Sequence, residues 1–196
     1  MFTWISKAHH VALMLMLAGC QTAPLAFGSD GQTRAVSVLG GALQVAAPPG
    51  YCVDKRSARQ QTDGAVVLMG RCSGGSNLAP AVISVTIGEA GSAGVLADGG
   101  AALAAYFETT DGRAALSKTG QAQSVQIVQA VITNKMFALR IAETGVGDYW
   151  RAIVSLSGRL VTVSVQGPAG STLDPASGRK LLDATLVAMR KANPPD

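Results

Sequence analysis

The sequence contains two histidines, His9 and His10, and none after them. That excludes Ser-His-Asp and Cys-His nucleophilic catalysis, zinc sites of the HExxH type, and any general base that titrates near neutrality as imidazole. No G-x-x-x-x-G-K-[ST] loop is present to cradle a nucleotide phosphate, and the glycines at 88, 91 and 94 do not match a dinucleotide fingerprint. No aspartate-rich calcium loop occurs, and no apolar run approaches the roughly 20 residues that cross a bilayer as a helix. Lys and Arg number 16 against 12 Asp and Glu, an excess too slight and too dispersed for nucleic acid, which needs a clustered basic face. The sequence therefore implies no nucleic-acid partner, no cofactor and no metal.

What is present begins at the amino terminus. Lys7 precedes an apolar run over residues 11–18, and Gly19 and Cys20 follow. A basic start, a short apolar stretch and small residues before a cut make a signal peptide, here residues 1–19. Leu17-Ala18-Gly19-Cys20 resembles the lipobox of bacterial lipoproteins at every position. The resemblance implies cleavage between Gly19 and Cys20, a diacylglyceryl thioether on Cys20 and a further fatty chain such as palmitate on the new amine. Each buried methylene contributes about 0.8 kcal/mol, and two chains already anchor stably. Gln21, where an aspartate would favour the inner membrane, implies the outer membrane, with the domain facing the periplasm. The alternative is a short membrane anchor with a chance cysteine, and a run of about 8 residues is too short to span.

Removing 19 residues of 196 leaves 177, and the loss of Lys7 leaves a net charge of about +3. Residues 20–33 hold Pro24, Gly28, Ser29, Asp30 and Gly31 and read as a flexible tether, which leaves 34–193 as a single α+β domain. With Cys20 lipidated, Cys52 and Cys72 remain as an even pair in an oxidising compartment. Bridging them closes a loop of about 20 residues, which stabilises by roughly 3 kcal/mol in the chain-entropy model. A redox pair would want Cys-x-x-Cys spacing, which is absent.

Residues 34–47 alternate around Gly40-Gly41 and predict an opening hairpin. Residues 55–64 are polar throughout and predict a loop; with Arg71 they hold the densest basic cluster, Lys55, Arg56 and Arg59, whose plain reading is a solvated loop and whose functional reading is a site for an anionic glycan, lipid headgroup or peptide. Residues 65–69 are apolar on both faces, as in a strand buried on both sides, and residues 80–88 alternate Ile83, Val85 and Ile87 with hydroxyls. Asp98 can cap a helix over about 98–118 that places Leu103, Tyr106 and Phe107 on one face, with a restart at Asp111. Strands follow over 125–132 and 136–142, joined at Asn134-Lys135, and over 149–156 and 160–165, joined at Ser157-Gly158. Asp174-Pro175 opens an amphipathic helix over 175–191 that carries Leu181, Leu182, Leu186 and Met189.

The order predicts an α+β fold, an antiparallel sheet of six or seven strands packed with two main helices. The Pro48-Pro49-Gly50-Tyr51 opening after the first strand, the element order and the terminal amphipathic helix resemble the PsbP/Mog1-like group, which includes bacterial lipoproteins. The resemblance implies an accessory or assembly factor and no catalytic residue.

Two constellations could carry chemistry. Ser177-Gly178-Arg179-Lys180 fits Ser-x-x-Lys at a helix start and Lys118-Thr119-Gly120 fits the Lys-Thr-Gly of penicillin-binding enzymes, but in the reverse order and without the element between them. Glu143 and Asp148 flank a Gly-Val-Gly turn beside Arg140 and Arg151. With Tyr149 and Trp150 these could form a binding patch in which aromatics stack on sugar or peptide and arginines hold a carboxylate. The plainer alternative is edge salt bridges of at most about 1 kcal/mol each, with Trp150 in the core. The expectation is thus a lipid-anchored, non-enzymatic periplasmic domain that binds or supports an envelope protein or glycan. The alternatives are a periplasmic hydrolase using carboxylates or a Ser-Lys pair, and a structural subunit of a membrane complex.

Overall fold

The computed structural model describes residues 32–73, 77–133 and 136–195. The lipobox, Cys20 and residues up to 31 lie outside the described residues, as does the Asn134-Lys135 turn. The strands are β1 Gln32–Thr33, β2 Ala35–Val38, β3 Leu43–Ala46, β4 Tyr51–Gln60, β5 Ala65–Arg71, β6 Val82–Ala90, β7 Val125–Thr133, β8 Met136–Glu143, β9 Gly147–Leu156 and β10 Arg159–Gln166. The helices are α1 Ala101–Glu108, α2 Thr110–Leu116 and α3 Pro175–Ala192.

The fold is α+β, built on an antiparallel sheet of eight strands in the order β1-β4-β5-β6-β10-β9-β8-β7, with β2 and β3 paired separately. The sheet exceeds the expected six or seven strands because of β1, and one expected loop is strand. Gln32 and Thr33, expected in the tether, pair with Asp54 and Val53. The polar stretch from residue 55, expected as a loop, continues β4 to Gln60. Lys55, Arg56, Arg59 and Gln60 are all exposed. With four of its six residues exposed and only Ser57 and Ala58 half-buried, this stretch leaves no apolar alternation to read.

Because side chains alternate across a strand, the sheet sorts its residues into two layers. Val67, Met69, Ile83, Val85, Val161, Val163 and Val165 face Leu182, Leu186 and Met189 of α3 and Val38, Leu43 and Val45 of the β2–β3 hairpin, in one core. Phe137, Leu139, Ile141, Tyr149 and Ile153 form the second core with Phe107 of α1 and Leu116 of α2. Each such large apolar side chain contributes about 1.5–3 kcal/mol when fully buried. The helices α1 and α2 reach only the β7–β9 part of the second face. That is why β5, expected to be buried on both sides, leaves Val66 38 % exposed while Val67 is 0 % exposed.

The expected helix over 98–118 is two helices broken at Thr109, whose backbone is extended (ψ 164°). Asp98 does cap the first, accepting from Gly100 N–H at 2.9 Å and Ala102 N–H at 2.8 Å. The second restarts on Thr109, whose Oγ1 accepts from Gly112 N–H at 3.0 Å, and not on Asp111. Tyr106 points outward, 44 % exposed, and does not share the buried face of Phe107. At the start of α3, Asp174 accepts from Ser177 N–H at 2.8 Å, with Pro175 in the first turn. Its other end is locked to β3: Asn193 accepts from Gln44 N–H and donates to Gln44 O, both at 2.8 Å. Ser157 (φ 47°) and Gly158 (φ 69°) make the tight β9–β10 turn with both central residues left-handed. Cys52 and Cys72 are joined in a disulfide that ties β4 to the end of β5.

Candidate functional site

The six residues expected in one patch are divided by the sheet. Arg140 pairs with Trp150 and Ala142 with Asp148 across β8 and β9, so Arg140, Asp148 and Trp150 project toward α3. Glu143, Tyr149 and Arg151, out of step with them by one residue, project toward α2.

On the α3 side, Arg140 Nη2 donates to Asp148 Oδ2 at 2.6 Å, with both side chains about a third exposed (29 % and 33 %). Trp150 is 5 % exposed. Its ring N–H donates to Pro175 O at 2.9 Å, and the guanidinium of Arg179 lies 5.2 Å from the ring centroid. Gly178 lets α3 approach that closely, since a Cβ there would lie 3.2 Å from Trp150 Cδ1. The space between Arg140, Asp148, Trp150, Leu173 and Gly178 amounts to about 10 Å³, enough for a single water and for nothing larger. The aromatic ring that the sequence offers for stacking is thus already occupied by Arg179.

On the α2 side, Glu143 is 3 % exposed. Its Oε1 accepts from Lys118 N–H at 2.7 Å and from Ser117 Oγ at 2.9 Å. Tyr149, 2 % exposed, has two acceptors within reach of its hydroxyl proton, Glu143 Oε2 and Leu116 O, each at 3.2 Å. Burial pushes the Tyr149 phenol up to about 12, with the Glu143 carboxylate adding to the rise and Arg151 opposing it. Arg151 donates to Ser164 Oγ at 3.0 Å and to Leu116 O at 3.4 Å. These groups satisfy the end of α2, where the last carbonyls and the turn that follows have no helical partners. The carboxylate with the most buried surroundings is therefore a fastener for a helix end.

Glu143 and Asp148 both border a depression of about 380 Å³ at this end of the sheet, together with Gln123, Ser124, Gln126 and Thr144. The depression is open to solvent, and the Glu143 oxygens are turned away into their network under α2. The two carboxylates thus border one depression, with Glu143 bonded to Ser117 and Lys118 and Asp148 to Arg140. The Ser-x-x-Lys and Lys-Thr-Gly matches are separated: Ser177 and Lys180 sit on α3, whereas Lys118 Nζ donates to Gln166 Oε1 at 2.8 Å on the opposite face. The two halves of the penicillin-binding pattern thus lie on opposite faces of the sheet.

The residues that the sequence did not single out are Ser117, Leu116 and Ser164 on one side; on the other, Gly178 and Arg179 enter the sequence reading only as the middle of the Ser-x-x-Lys match. A signal for Glu143 was present: it continues the period-two series Phe137, Leu139 and Ile141, all buried. Among the described residues no group of three or more His, Cys, Asp or Glu side chains could hold a metal ion. No described helix is long and apolar enough to cross a membrane.

No family model matches the chain, and no curated protein matches it. Among solved structures, a point mutant of the protein Mog1 is similar at 14 % identity and a TM-score of 0.46, covering 82 % of this chain and 94 % of that one. The Saccharomyces cerevisiae Ran-binding protein Mog1p is similar at 14 % identity and a TM-score of 0.47, covering 82 % of this chain and 93 % of that one.

Proposed function

We propose that the chain is a bacterial lipoprotein, held through fatty chains on Cys20 at the periplasmic face of the outer membrane, where it serves as a non-enzymatic binding or assembly domain. The observation that carries this reading is Leu17-Ala18-Gly19-Cys20 at the end of a short apolar run. The Cys52–Cys72 disulfide supports it, because such bonds persist in oxidising compartments and because it accounts for both remaining cysteines. The non-enzymatic part is supported by what the polar side chains do. Glu143 is committed to Ser117, Lys118 and Tyr149, and Asp148 to Arg140 on the other side of the sheet.

Mass spectrometry of the protein purified from intact envelopes tests the reading. The expected species starts at Cys20, carries fatty mass and contains an oxidised Cys52–Cys72 pair. A native chain that keeps Met1 and bears no lipid would refute it. Affinity capture from the same envelopes tests the assembly role, and the recovery of this protein alone would count against a partner.

A further inference from the structure

We infer that the basic bulge of β4, formed by Lys55, Arg56 and Arg59, is a second membrane contact that lays this edge of the sheet against anionic phospholipid headgroups. The inference rests on the lipid-anchor reading and adds to it an orientation.

The bulge is built into the strand. Asp54 pairs with Leu68 and Arg59 with Val66, so five residue steps of β4 face two of β5 and the surplus is pushed outward. The projection is fixed by local bonds: Asp54 Oδ1 accepts from Arg56 N–H at 2.9 Å, and Ser57 Oγ donates to Asp54 O at 2.7 Å and accepts from Leu68 N–H at 2.8 Å. Arg59 braces it from the far end by donating to Arg56 O at 2.6 Å. All three cationic residues are exposed. Among the described residues neither the Lys55 ammonium nor the Arg56 guanidinium has a carboxylate partner, and the ion pairs of the fold lie elsewhere, at Arg140–Asp148 and Arg179–Asp183. The nearest acid, Asp54, is turned back to the backbone of the bulge.

Position supplies the occupant. The described residues begin at Gln32, which pairs with Asp54, the neighbour of Lys55. Twelve residue steps separate Gln32 from Cys20, and even fully extended they span no more than about 40 Å. A domain of this size has a radius of gyration of about 15 Å, so an anchor on Cys20 holds it within about one domain diameter of the bilayer. The edge beside Gln32 is the one that can reach the surface most readily. Attraction between exposed charges and a membrane fades beyond about 8 Å at physiological salt. A bulge that projects cations beyond the sheet is the shape that closes this last gap, and a basic patch beside a lipid chain is a recognised two-signal arrangement.

The test uses the lipidated protein in vesicles of phosphatidylcholine alone and of phosphatidylcholine mixed with phosphatidylglycerol. A membrane-impermeant amine-reactive ester labels exposed lysines, and peptide mass spectrometry reads the rate at Lys55 against that at Lys180, which is exposed on α3. The expected result is a rate at Lys55 lowered about threefold or more by phosphatidylglycerol, restored at 1 M salt and abolished as an effect in an R56E/R59E variant. Equal Lys55 rates in the two vesicle types, or protection that ignores salt, would overturn the inference while leaving the anchor intact. Absence of fatty mass on Cys20 would overturn both.

Discussion

Replacing Glu143 decides whether this residue is part of a site or part of the scaffold. In Glu143→Gln the side chain keeps its size, and its remaining oxygen can still accept from Lys118 N–H and Ser117 Oγ, now bonded at 2.7 and 2.9 Å. What is lost is charge assistance, about 1–1.5 kcal/mol for each of the two bonds, partly offset because a neutral amide costs less to bury than a carboxylate, for a net cost of about 1–2 kcal/mol. In Glu143→Ala the Lys118 N–H is orphaned and Tyr149 keeps only Leu116 O as acceptor. An unpaired buried donor costs about 1–3 kcal/mol, and the removed side chain leaves space behind it, so the total is about 3 kcal/mol. With a urea m-value near 2 kcal/mol per M, the midpoint falls by about 0.5–1 M in the first variant and by about 1.5 M in the second. Equilibrium unfolding followed by Trp150 fluorescence measures both. A Glu143→Ala protein as stable as the parent would refute the scaffold role and return the residue to the list of candidate ligands. A graded loss, with binding partners retained in proportion to the folded fraction, is the expected outcome.

Three further perturbations test other parts of the fold. Removing the disulfide by C52A/C72A releases a loop of sequence separation 20 and lowers stability by about 3 kcal/mol in the chain-entropy account; a urea midpoint within experimental error of the parent would contradict it. Gly112→Ala would set a Cβ against the Tyr106 carbonyl carbon and Phe107 Cα, at 2.6 and 2.7 Å, where backbone atoms cannot yield as a side chain tip would. A loss of about 2 kcal/mol or more is expected, with weakened docking of α2 visible as faster amide exchange near Glu143, and unchanged exchange would show that the α1–α2 break is soft. Alkaline titration reads Tyr149 directly: its phenol, raised from 10.0 to about 12, ionises after an ordinary tyrosine. The folded state holds this proton more tightly than the unfolded chain, so its contribution to stability is complete below pH 10 and is lost as pH rises toward 12. Stability that is flat over this interval would refute the burial of the hydroxyl.

The parts of the fold legible in the sequence are those where one face is dry and the other wet. Ile83, Val85 and Ile87 announce β6, Phe137, Leu139 and Ile141 announce β8, and Leu182, Leu186 and Met189 announce α3, because burial imposes the period on the residues. The second half of β4 was invisible for the complementary reason. Most of its residues are exposed, and its pairing with β5 depends on a bulge that Asp54, Ser57 and Arg59 hold in place. The break at Thr109 was hidden because Asp111 and Thr109 are both acceptable caps by residue type. What chooses between them is the packing of Gly112 against the preceding helix end, a tertiary fact.

The six residues of the expected patch divide between two faces for a reason that the sequence does contain. Residues that are close along a hairpin are not close in space when they differ by an odd number of steps, since a strand sends neighbours to opposite sides. Arg140, Asp148 and Trp150 keep one parity across the β8–β9 register, and Glu143, Tyr149 and Arg151 keep the other. Taken by parity, the six residues resolve into two fasteners: one clamps α3 through Trp150 and Pro175, and the other clamps α2 through Glu143 and Lys118. These polar side chains of β8 and β9 are committed to holding helices. Among the described residues, the charged groups without carboxylate partners at the edge beside Gln32, Lys55 and Arg56, are where the search for a binding partner belongs.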